Sequence, residues 1–322
     1  MKAMVYTKYG PPDVLQLKEV EKPVPVEDQV LVKVHSASVN PLDWHILLGK
    51  PLLVRLMGFG LLKPKRQIPG VDIAGQVEAV GGNVTQFRAG DEVFGSARGS
   101  FAEYACSRES ALVSKPAAIT FEQAAAVPVA GLTALQGLRD HGRIQPGQQV
   151  LINGASGGVG TFAVQIAKSF GAQVTGVCSG RNLEMVRWIG ADQVIDYTKE
   201  NFWEKREKYD LILDNAAYYS MRKPLRALTP TGTYVMVGGS ASTASFLHTV
   251  ILKPLYSRKK GRKIASMLTN FNMPDLTFLK ELLEIGKVVP VIDRTYPLSE
   301  TPQAIRYLEQ GHARGKVVIA VL

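Results

Sequence analysis

The sequence predicts an α/β protein with two domains, one rich in β-strands and one built on a doubly wound parallel sheet. Its 322 residues are too many for one small domain and suit two domains of about 150 residues each. From residue 150 onward, continuous apolar runs alternate with helical segments, which is typical of a parallel sheet covered on both faces. Before residue 120, short segments alternate apolar and polar residues between glycines and prolines. That pattern favours a compact antiparallel barrel.

The composition is that of an ordinary globular protein, and it indicates the cellular compartment and the kinds of partner to expect. Hydrophobic residues make up 46% of the chain and charged residues 20%, which is usual for a globular protein. Two cysteines, Cys106 and Cys178, are too few for a disulfide framework, so a reducing cytoplasm is the predicted compartment. The net charge of +10 permits nucleic acid binding, but anionic cofactors and substrates explain it as well. Because the basic residues are mostly scattered, with one dense cluster at 258–263, we expect no specific nucleic acid partner.

Alternation of apolar and polar residues predicts the strands of the first third of the chain, and a helix N-cap pattern marks the end of this strand-rich part. The predicted strands cover residues 15–20, 30–34, 70–81, 91–95 and 101–105. Thr120 with Gln123 three residues later is typical of a helix N-terminus, and an alanine-rich run follows it. The chain therefore changes from strands to helices near residue 120.

A glycine-rich turn at residues 153–160 (NGASGGVG) joins a predicted strand to a predicted helix. The helix covers residues 161–170, and a second strand follows at 173–178. This order is typical of a Rossmann unit that binds a dinucleotide. Small residues let the backbone approach a pyrophosphate, and the helix N-terminus offers N–H groups and partial positive charge to the phosphates.

Beyond this unit, helices and strands alternate to the end of the chain. Helices are predicted over residues 183–189, 221–228, 277–284 and 300–310. Strands are predicted over residues 193–197, 210–214, 232–239, 288–292 and 316–321.

The residues after the second strand of the Rossmann unit distinguish the two nicotinamide dinucleotides. About twenty residues beyond the glycine turn, NAD enzymes place an acidic residue on the ribose 2′-hydroxyl. Here the chain has Ser179, Gly180 and Arg181, and a hydroxyl with a guanidinium would hold a 2′-phosphate by charge-assisted hydrogen bonds. The alternative is that Arg181 is a solvated surface arginine, although a helix start does not favour a cation. The pattern predicts NADPH as the cofactor.

Five pieces of sequence occur in an order that is specific when they are taken together. They are VNPLD at 39–43, PGVDIAG at 69–75, GLTA at 131–134, the turn at 153–160, and GKVV at 315–318. With them the whole chain resembles the medium-chain dehydrogenase/reductase superfamily, and within it the zinc-independent quinone oxidoreductase branch. Ala155, in place of the first glycine of the usual turn, is common in that branch. The resemblance implies a GroES-like β-barrel domain over 1–122, completed by 270–322, and an NADP-binding Rossmann domain over 123–269.

The same resemblance implies the residues of the site. The catalytic candidates are Asn40 at the nicotinamide and substrate face, Asp43 and Thr133, with Asp43 expected to orient its neighbours more than to act as an acid. The cofactor-binding candidates are Asn40, Thr133, Ala155, Ser156, Gly157, Gly158, Val159, Cys178, Ser179, Arg181, Tyr197, Asn215, Ala216, Gly238, Gly239 and Lys316. Those that follow the strands of the parallel sheet lie where ligands of open α/β sheets bind.

Structural roles compete with these functional ones at three positions. Asn40 precedes a proline and is equally well explained as a turn residue that bonds only its own backbone. For Thr133 the alternative is a helix residue bonded to a carbonyl, and for Lys316 it is a surface cation at a strand start.

The resemblance also bears on metal binding. Zinc members of the superfamily hold their catalytic metal at positions that correspond here to Asn40 and Val71, with Asp72 in the matching acidic position. The five histidines and two cysteines show no ligand-like spacing, so we expect no metal. Without a Lewis acid, hydride transfer to a conjugated carbonyl or a quinone remains feasible, because hydrogen-bond donors are enough to stabilise the oxyanion.

Three functions remain open, and each predicts different partners. The leading prediction is an NADPH-dependent reductase of small apolar quinones or α,β-unsaturated carbonyls, acting as a homodimer. The alternatives are an enoyl-thioester reductase, whose basic residues would hold coenzyme A phosphates, and a nucleotide-responsive RNA-binding or structural relative. The apolar stretch 46–62, interrupted by Lys50, Pro51 and Arg55, falls short of the ~20 apolar residues needed to span a bilayer. The wider segment 45–67 is more apolar than a loop should be. It is a candidate substrate lid, with core packing or peripheral membrane contact as alternatives.

Overall fold

A computed structural model describes residues 1–50, 55–56, 60–220, 222–237 and 261–322. The chain forms two compact units. Unit 1 comprises residues 1–129, 271–286 and 290–322, and unit 2 comprises residues 130–270 and 287–289. The sequence predicted domain boundaries after residues 122 and 269, and these boundaries stay a prediction.

The strands and helices are numbered in chain order. The strands are β1 Lys2–Val5, β2 Gln16–Glu19, β3 Gln29–Val39, β4 Asp72–Val80, β5 Glu92–Ser96, β6 Tyr104–Arg108, β7 Leu112–Ser114, β8 Gln149–Asn153, β9 Gln173–Cys178, β10 Gln193–Asp196, β11 Tyr209–Asp214, β12 Leu228–Met236, β13 Lys263–Ser266, β14 Ile292–Pro297 and β15 Lys316–Ala320. The α-helices are α1 Pro41–Leu48, α2 Phe121–Ala125, α3 Pro128–Gln136, α4 Gly158–Ser169, α5 Leu183–Trp188, α6 Met273–Glu284 and α7 Thr301–Glu309.

A seven-stranded sheet is the frame of unit 1. Its order is β14-β15-β3-β4-β5-β7, with β6 also paired to β3. The sequence predicted an antiparallel barrel, and the pairs within β3–β7 are antiparallel. The pair β14–β15 is parallel, however, so an all-antiparallel arrangement is wrong for the tail. The physical reason is the connection, because α7 crosses over between these two strands and brings the chain back in the same direction.

Helix α1 begins directly after β3 and orients two of the predicted site residues. Pro41 occupies the first helical position, where its missing N–H costs no hydrogen bond. The side chain of Asp43 turns back, and its Oδ2 accepts the backbone N–H of Asn40 at 2.8 Å. Gly49, with φ of 60°, ends the helix in the left-handed conformation that glycine adopts without steric cost. Leu47 is fully buried, and such burial contributes about 1.5–3 kcal/mol.

Unit 2 contains the predicted parallel sheet, with six strands in the order β10-β9-β8-β11-β12-β13. All five pairings are parallel. The order reverses direction between β8 and β11, and ligands of open α/β sheets bind outside the carboxyl ends of the strands at such a point. The register places Asn153, at the end of β8, opposite both Val177 and Asp214. The strand ends that carry the predicted cofactor residues therefore share one edge.

Two predicted elements are wrong. Residues 221–228 were predicted as a helix, but Pro224–Ala227 form a single 3₁₀ turn and Leu228 already begins β12; Met221 lies outside the described residues. Residues 288–292 were predicted as a strand, but β14 begins only at Ile292. Proline explains both errors, since it limits helix and strand continuation.

Some predictions fall partly or wholly on residues that the structure does not describe. Gly238 and Gly239 lie outside it, as do residues 258–260 of the basic cluster. Within segment 45–67, the structure describes residues 45–50, 55–56 and 60–67. In the described part of the chain, every helix is too short or too polar to cross a membrane.

Candidate active site and cofactor-binding residues

A buried polar cluster lies where three strands of the unit 1 sheet meet. Asn40 follows β3, Asp72 begins β4 and Lys316 begins β15, and none of the three is more than 3% exposed. The ladder pairs Ser38 with Asp72 and also with Val318. Strand pairing thus brings together residues that are far apart in sequence. The alternative that Lys316 is a surface cation is wrong.

The cluster is held by hydrogen bonds that converge on one carboxylate. Lys316 Nζ donates to Asn40 Oδ1 at 2.6 Å and lies 3.4 Å from Asp72 Oδ2. Asn40 Nδ2 and Ser38 Oγ donate to the same Asp72 oxygen at 2.9 and 2.6 Å. Asp72 Oδ1 accepts the backbone N–H of Val129 at 2.9 Å. This buried anion is well satisfied, and so the cluster is rigid.

These contacts sharpen the role of Asn40. Its side chain bonds Asp72 and Lys316, so the alternative in which it bonds only its own backbone is wrong. The ammonium identifies the amide atom that faces it as the oxygen. Both amide hydrogens then have acceptors within the cluster, one on Asp72 and a longer one at 3.4 Å on Ser38 O. Donation from Asn40 to a developing oxyanion, which the resemblance implied, would compete with Asp72.

Asp43 is a buried acid beside this cluster. Burial, with a smaller contribution from the charge of Asp72, raises the pKa of Asp43 from its usual 3.8 to about 7, although the N–H of Asn40 opposes the shift. Burial also lowers the pKa of Lys316. A proton on Asp43 leaves one ammonium and one carboxylate in the cluster, which removes the cost of a second buried anion. Asp43 Oδ1 has no hydrogen-bond partner among the described residues.

Asp43→Asn is expected to remove part of the pH dependence of stability. Because the pKa of Asp43 is higher in the folded than in the unfolded chain, the folded state binds the extra proton between pH 3.8 and about 7. The contribution of Asp43 to the free energy of unfolding therefore falls as pH rises through this window, by at most about 1.4 kcal/mol per pH unit. Urea unfolding at several pH values should show a shallower fall for D43N. Asp28→Asn, at an exposed position of the same unit, should keep the wild-type slope, and parallel curves for D43N and wild type would contradict the raised pKa.

A cavity of about 470 Å³ lies in unit 1 next to Asp43. Apolar side chains form much of its wall, among them Leu42, Ile46, Ile68 and Phe271. This volume and lining are those of a small-molecule site. Tyr6 also lines the cavity, and burial raises the pKa of its hydroxyl to about 12. Tyr6, which keeps its proton at neutral pH, and Asp43, which is about half protonated there, are thus both among the residues that line this space.

The glycine turn of unit 2 is as tight as the sequence predicted. Gly154 has φ of 72°, in the region that favours glycine. A Cβ on Gly160 would lie 2.0 Å from Gly154 O, whereas a Cβ on Gly157 would meet only that oxygen, at 3.5 Å. Ala155 is fully buried, and its N–H donates to Val177 O at 3.0 Å. Ala155 therefore shapes the turn, while the N-terminal N–H groups of α4, from Gly158 and Val159, have no partner within the helix.

Asn182, which the sequence analysis missed, connects the two loops that were predicted to hold the cofactor. Its buried amide donates to Ser156 Oγ at 3.0 Å and to Ser179 Oγ at 3.2 Å. Arg181 lies in the same short 3₁₀ turn, Gly180–Asn182. No motif pointed to Asn182, because its partners come from different loops and only the fold brings them together.

The fold brings an acidic residue near this position, although the sequence has none at 179–181. A Cβ on Gly180 would lie 2.6 Å from Asp196 Oδ2, so the end of β10 reaches the end of β9. Hydrogen bonds from Thr198, to Asp196 Oδ1 at 2.7 and 3.0 Å, lower the pKa of Asp196 and hold its charge locally. Tyr197, the next residue and a predicted cofactor contact, is 57% exposed.

A second buried carboxylate organises the ends of β8, β11 and β12. Asp214 accepts hydrogen bonds from Asn153 Nδ2 at 2.7 Å and from the hydroxyls of Tyr219 and Tyr234 at 2.8 and 2.7 Å. Burial raises the pKa of Asp214, and these bonds oppose the shift. Asn215 Nδ2 donates to Asn153 O at 3.1 Å. Asn215 and Ala216 thus lie beside the glycine turn, on a loop that this network positions.

Known proteins are similar to this chain over nearly its full length. The family described as "Alcohol dehydrogenase GroES-like domain" matches residues 26–117, and the family described as "Zinc-binding dehydrogenase" matches residues 189–319. The chain is similar to 2-methylene-furan-3-one reductase of Solanum lycopersicum, with 37% identity over 99% of this chain and 79% of that protein. It is 36% identical, with the same coverage, to the chloroplastic NADPH-dependent alkenal/one oxidoreductase of Arabidopsis thaliana.

A solved structure with a related name is also similar to this chain. The quinone oxidoreductase from Coxiella burnetii matches with a TM-score of 0.87 and 33% identity, over 100% of this chain and 99% of that one. This chain belongs to the quinone oxidoreductase branch of the medium-chain dehydrogenase/reductase superfamily. Membership confirms the predicted combination of a GroES-like domain and a Rossmann-type parallel sheet.

Two other residues that the superfamily resemblance singled out lie in unit 2. Thr133 Oγ1 lies 2.6 Å from Thr269 Oγ1, so its hydroxyl has a side-chain partner in addition to any helical carbonyl. Cys178 is a buried strand end, as predicted, and burial raises the pKa of its thiol to about 11. A thiol with such a pKa is a packing group at neutral pH.

The name of the second matched family raises the question of zinc for this member of the superfamily. Among the described residues, no group of three or more His, Cys, Asp or Glu side chains is placed to hold a metal ion. The positions that correspond to the ligands of zinc members are more informative. Asn40 and Asp72 both contact the ammonium of Lys316 at these positions. The positive charge next to these two side chains is therefore supplied by a residue of the chain itself.

Proposed function

We propose that this protein is an NADPH-dependent oxidoreductase that transfers hydride, without zinc, to a quinone or to the conjugated C=C bond of an α,β-unsaturated carbonyl. Relatives with 37% and 36% identity over 99% of the chain carry names that state enone reduction, and one of those names states NADPH. The observation that carries the proposal is the Lys316–Asn40–Asp72 cluster. An ammonium that contacts both Asn40 and Asp72 opposes a second cation by repulsion and by occupying their oxygens.

The residues of unit 2 fit an NADP dinucleotide. The open side of Gly157 leaves room for a close approach of the pyrophosphate, and α4, with twelve residues, directs its first N–H groups to that side. Ser179 and Arg181 would bind the 2′-phosphate, and Asn182 holds the Ser179 hydroxyl in place. Thr198 engages only Oδ1 of Asp196, whereas Oδ2, on the side of Gly180, has no hydrogen-bond partner among the described residues, so the proposed preference for NADPH rests on Ser179 and Arg181.

Arg181→Ala is expected to weaken NADPH binding by about 1.5–3 kcal/mol, the range for a hydrogen bond to a charged group. NADH lacks the 2′-phosphate, so its affinity should change little. Binding is measured by quenching of protein fluorescence with each cofactor. Arg206→Ala removes an exposed guanidinium from the same unit and should leave both affinities at the wild-type value. Equal weakening of both cofactors by R181A would contradict the assignment.

The residues around the cavity of unit 1 support the acceptor half of the reaction. Bound NADPH supplies a hydride from C4 of its nicotinamide. Tyr6 and Asp43 are among the residues that line the cavity, and we assign the Tyr6 hydroxyl and the protonated form of the Asp43 carboxyl as hydrogen-bond donors to an acceptor oxygen on which charge develops. With a pKa of about 7, Asp43 can also release its proton to the reduced acceptor. The apolar wall excludes water and suits a hydrophobic acceptor.

A substrate panel tests the proposal directly. Oxidation of NADPH and NADH is followed with 1,4-quinones, 2-alkenals and a crotonyl thioester, before and after treatment with a zinc chelator. We expect NADPH oxidation with quinones or alkenals that survives chelation. Failure of every acceptor, together with tight and salt-dependent RNA binding, would favour the nucleotide-responsive alternative. Loss of activity on chelation would contradict the zinc-free mechanism.

Assembly and location are proposals of the same kind. We propose a homodimer in the cytoplasm, and its mass in solution by light scattering tests the assembly. Peripheral membrane contact through segment 45–67 and the basic cluster 258–263 is tested by liposome flotation. If the protein shows no salt-sensitive binding to the liposomes, the proposed membrane contact is contradicted.

A further inference from the structure

We infer that the cavity of unit 1 contains a subsite for an anionic group, so that its acceptors are conjugated carbonyls or quinones that carry a carboxylate or a phosphate. This inference rests on the proposed function, because it takes the cavity as the acceptor site. It goes beyond that function by stating which acceptors are preferred.

The charged side chains around the cavity are almost all cationic. Arg66, Arg98 and Arg108 line it, and Asp43 is the only acidic residue among the residues that line it. Because burial raises the pKa of Asp43 to about 7, it carries about half a negative charge near neutral pH, against three guanidinium groups. The cavity therefore has a positive potential that attracts an anion.

Two of the arginines lie close enough to affect each other. Burial and the charge of Arg98 both lower the pKa of Arg66, while Tyr6 at the cavity wall raises it. Two neighbouring guanidinium groups repel each other, and a bound anion turns that repulsion into charge-assisted hydrogen bonds. Among the described residues, no carboxylate forms an ion pair with Arg98 or Arg108, and so these two guanidinium groups keep their capacity to bind an anion from solution.

The cavity also requires the ligand to have an apolar part. Leu42, Ile46, Ile68 and Phe271 line the same space, and a simple inorganic anion would leave these side chains in contact with water. An acceptor with a conjugated hydrocarbon portion and an anionic end satisfies both halves of the lining. A fatty enone with a terminal carboxylate and an enoyl thioester of coenzyme A both meet this description.

Matched pairs of acceptors test the subsite and separate its two possible sources. The first pair is a 2-alkenal with a terminal carboxylate and its methyl ester, and the second is crotonyl-coenzyme A and crotonyl-N-acetylcysteamine, which lacks the phosphates. For each pair, kcat/KM with NADPH gives the ratio of the anionic to the neutral acceptor. We expect a ratio of about ten or more in at least one pair, the value for one charge-assisted hydrogen bond. Preference within the first pair alone indicates a carboxylate, and within the second alone a phosphate.

Variants of the two coupled arginines assign the preference to this cavity. Arg98→Gln and Arg66→Gln should each reduce the ratio about tenfold, and Arg66→Lys, which keeps the charge, should retain most of it. Arg88→Gln removes an exposed guanidinium from the same unit, one that lies 3.7 Å from Asp91, and should leave the ratio unchanged. Ratios near one in both pairs, or equal effects of R98Q and R88Q, would overturn the inference while leaving the proposed function intact.

A binding measurement keeps the inference testable if no acceptor is reduced. Saturated analogues, the carboxylate and its methyl ester, are titrated calorimetrically into wild type, R98Q and R88Q. We expect wild type to bind the carboxylate in preference to the ester, R98Q to weaken that preference about tenfold, and R88Q to leave it unchanged. This result supports the subsite even if the proposed function fails. Equal binding of carboxylate and ester would overturn it.

Discussion

Lys316→Met is expected to destabilise the folded protein by about 3–5 kcal/mol, the cost of removing one partner of a buried ion pair. The ammonium is 3% exposed, and it donates to Asn40 Oδ1 at 2.6 Å with Asp72 Oδ2 at 3.4 Å. Methionine has similar length but no charge, so Asp72 would keep a buried negative charge without its cation. Urea unfolding followed by circular dichroism at neutral pH measures the loss.

Two further variants separate this electrostatic effect from lost packing. In the double variant Lys316→Met with Asp72→Asn, both charges are removed, and we expect most of the stability to return. Lys18→Met removes an exposed lysine of the same unit and should change stability by less than about 0.5 kcal/mol. If K316M lost no more stability than K18M, the ion pair would not be a structural element of the cluster.

Gly160→Ala is expected to destabilise unit 2 by about 3 kcal/mol and to abolish detectable NADPH binding. The new Cβ would lie 2.0 Å from Gly154 O and 2.8 Å from backbone atoms of Ala155. Backbone atoms cannot rotate away, so the strand-to-helix turn has to open and the phosphate-binding N–H groups move with it. Helix propensity alone predicts the opposite sign, since alanine is favoured over glycine by about 1 kcal/mol within a helix. The direction of the change therefore distinguishes the close contact from propensity.

Gly157→Ala provides the matched comparison within the same turn. Its Cβ would meet only Gly154 O, at an ordinary 3.5 Å, so its free energy of unfolding should stay close to that of wild type. Urea unfolding and fluorescence titration with NADPH are applied to both variants. Equal stability of G160A and G157A would show that the turn tolerates a side chain at position 160.

Local patterns predicted the parts of the molecule that depend on neighbours in sequence. The turn at 153–160, the adjoining helix and strand, and Ser179 with Arg181 were found because strand, turn and helix follow each other within about thirty residues. Apolar runs alone were less reliable. The run at 288–292 lies largely outside any strand, because Pro290 has no N–H to donate to strand pairing.

By itself, the sequence determined the Rossmann turn and the superfamily, and it predicted 2′-phosphate contacts at Ser179 and Arg181, because each depends on residue types at fixed spacing. Only the tertiary structure decided that Asn40, Asp72 and Lys316 form one cluster, that Asn182 joins the loops of Ser156 and Ser179, and that arginines surround an apolar cavity. Strand pairing across more than two hundred residues brings Lys316 to Asn40 and Asp72. The other two arrangements join separate loops, and neither kind of contact leaves a local trace in the sequence. The charge of a buried group also depends on its neighbours in space, and so the raised pKa of Asp43 follows from the fold and not from the local sequence.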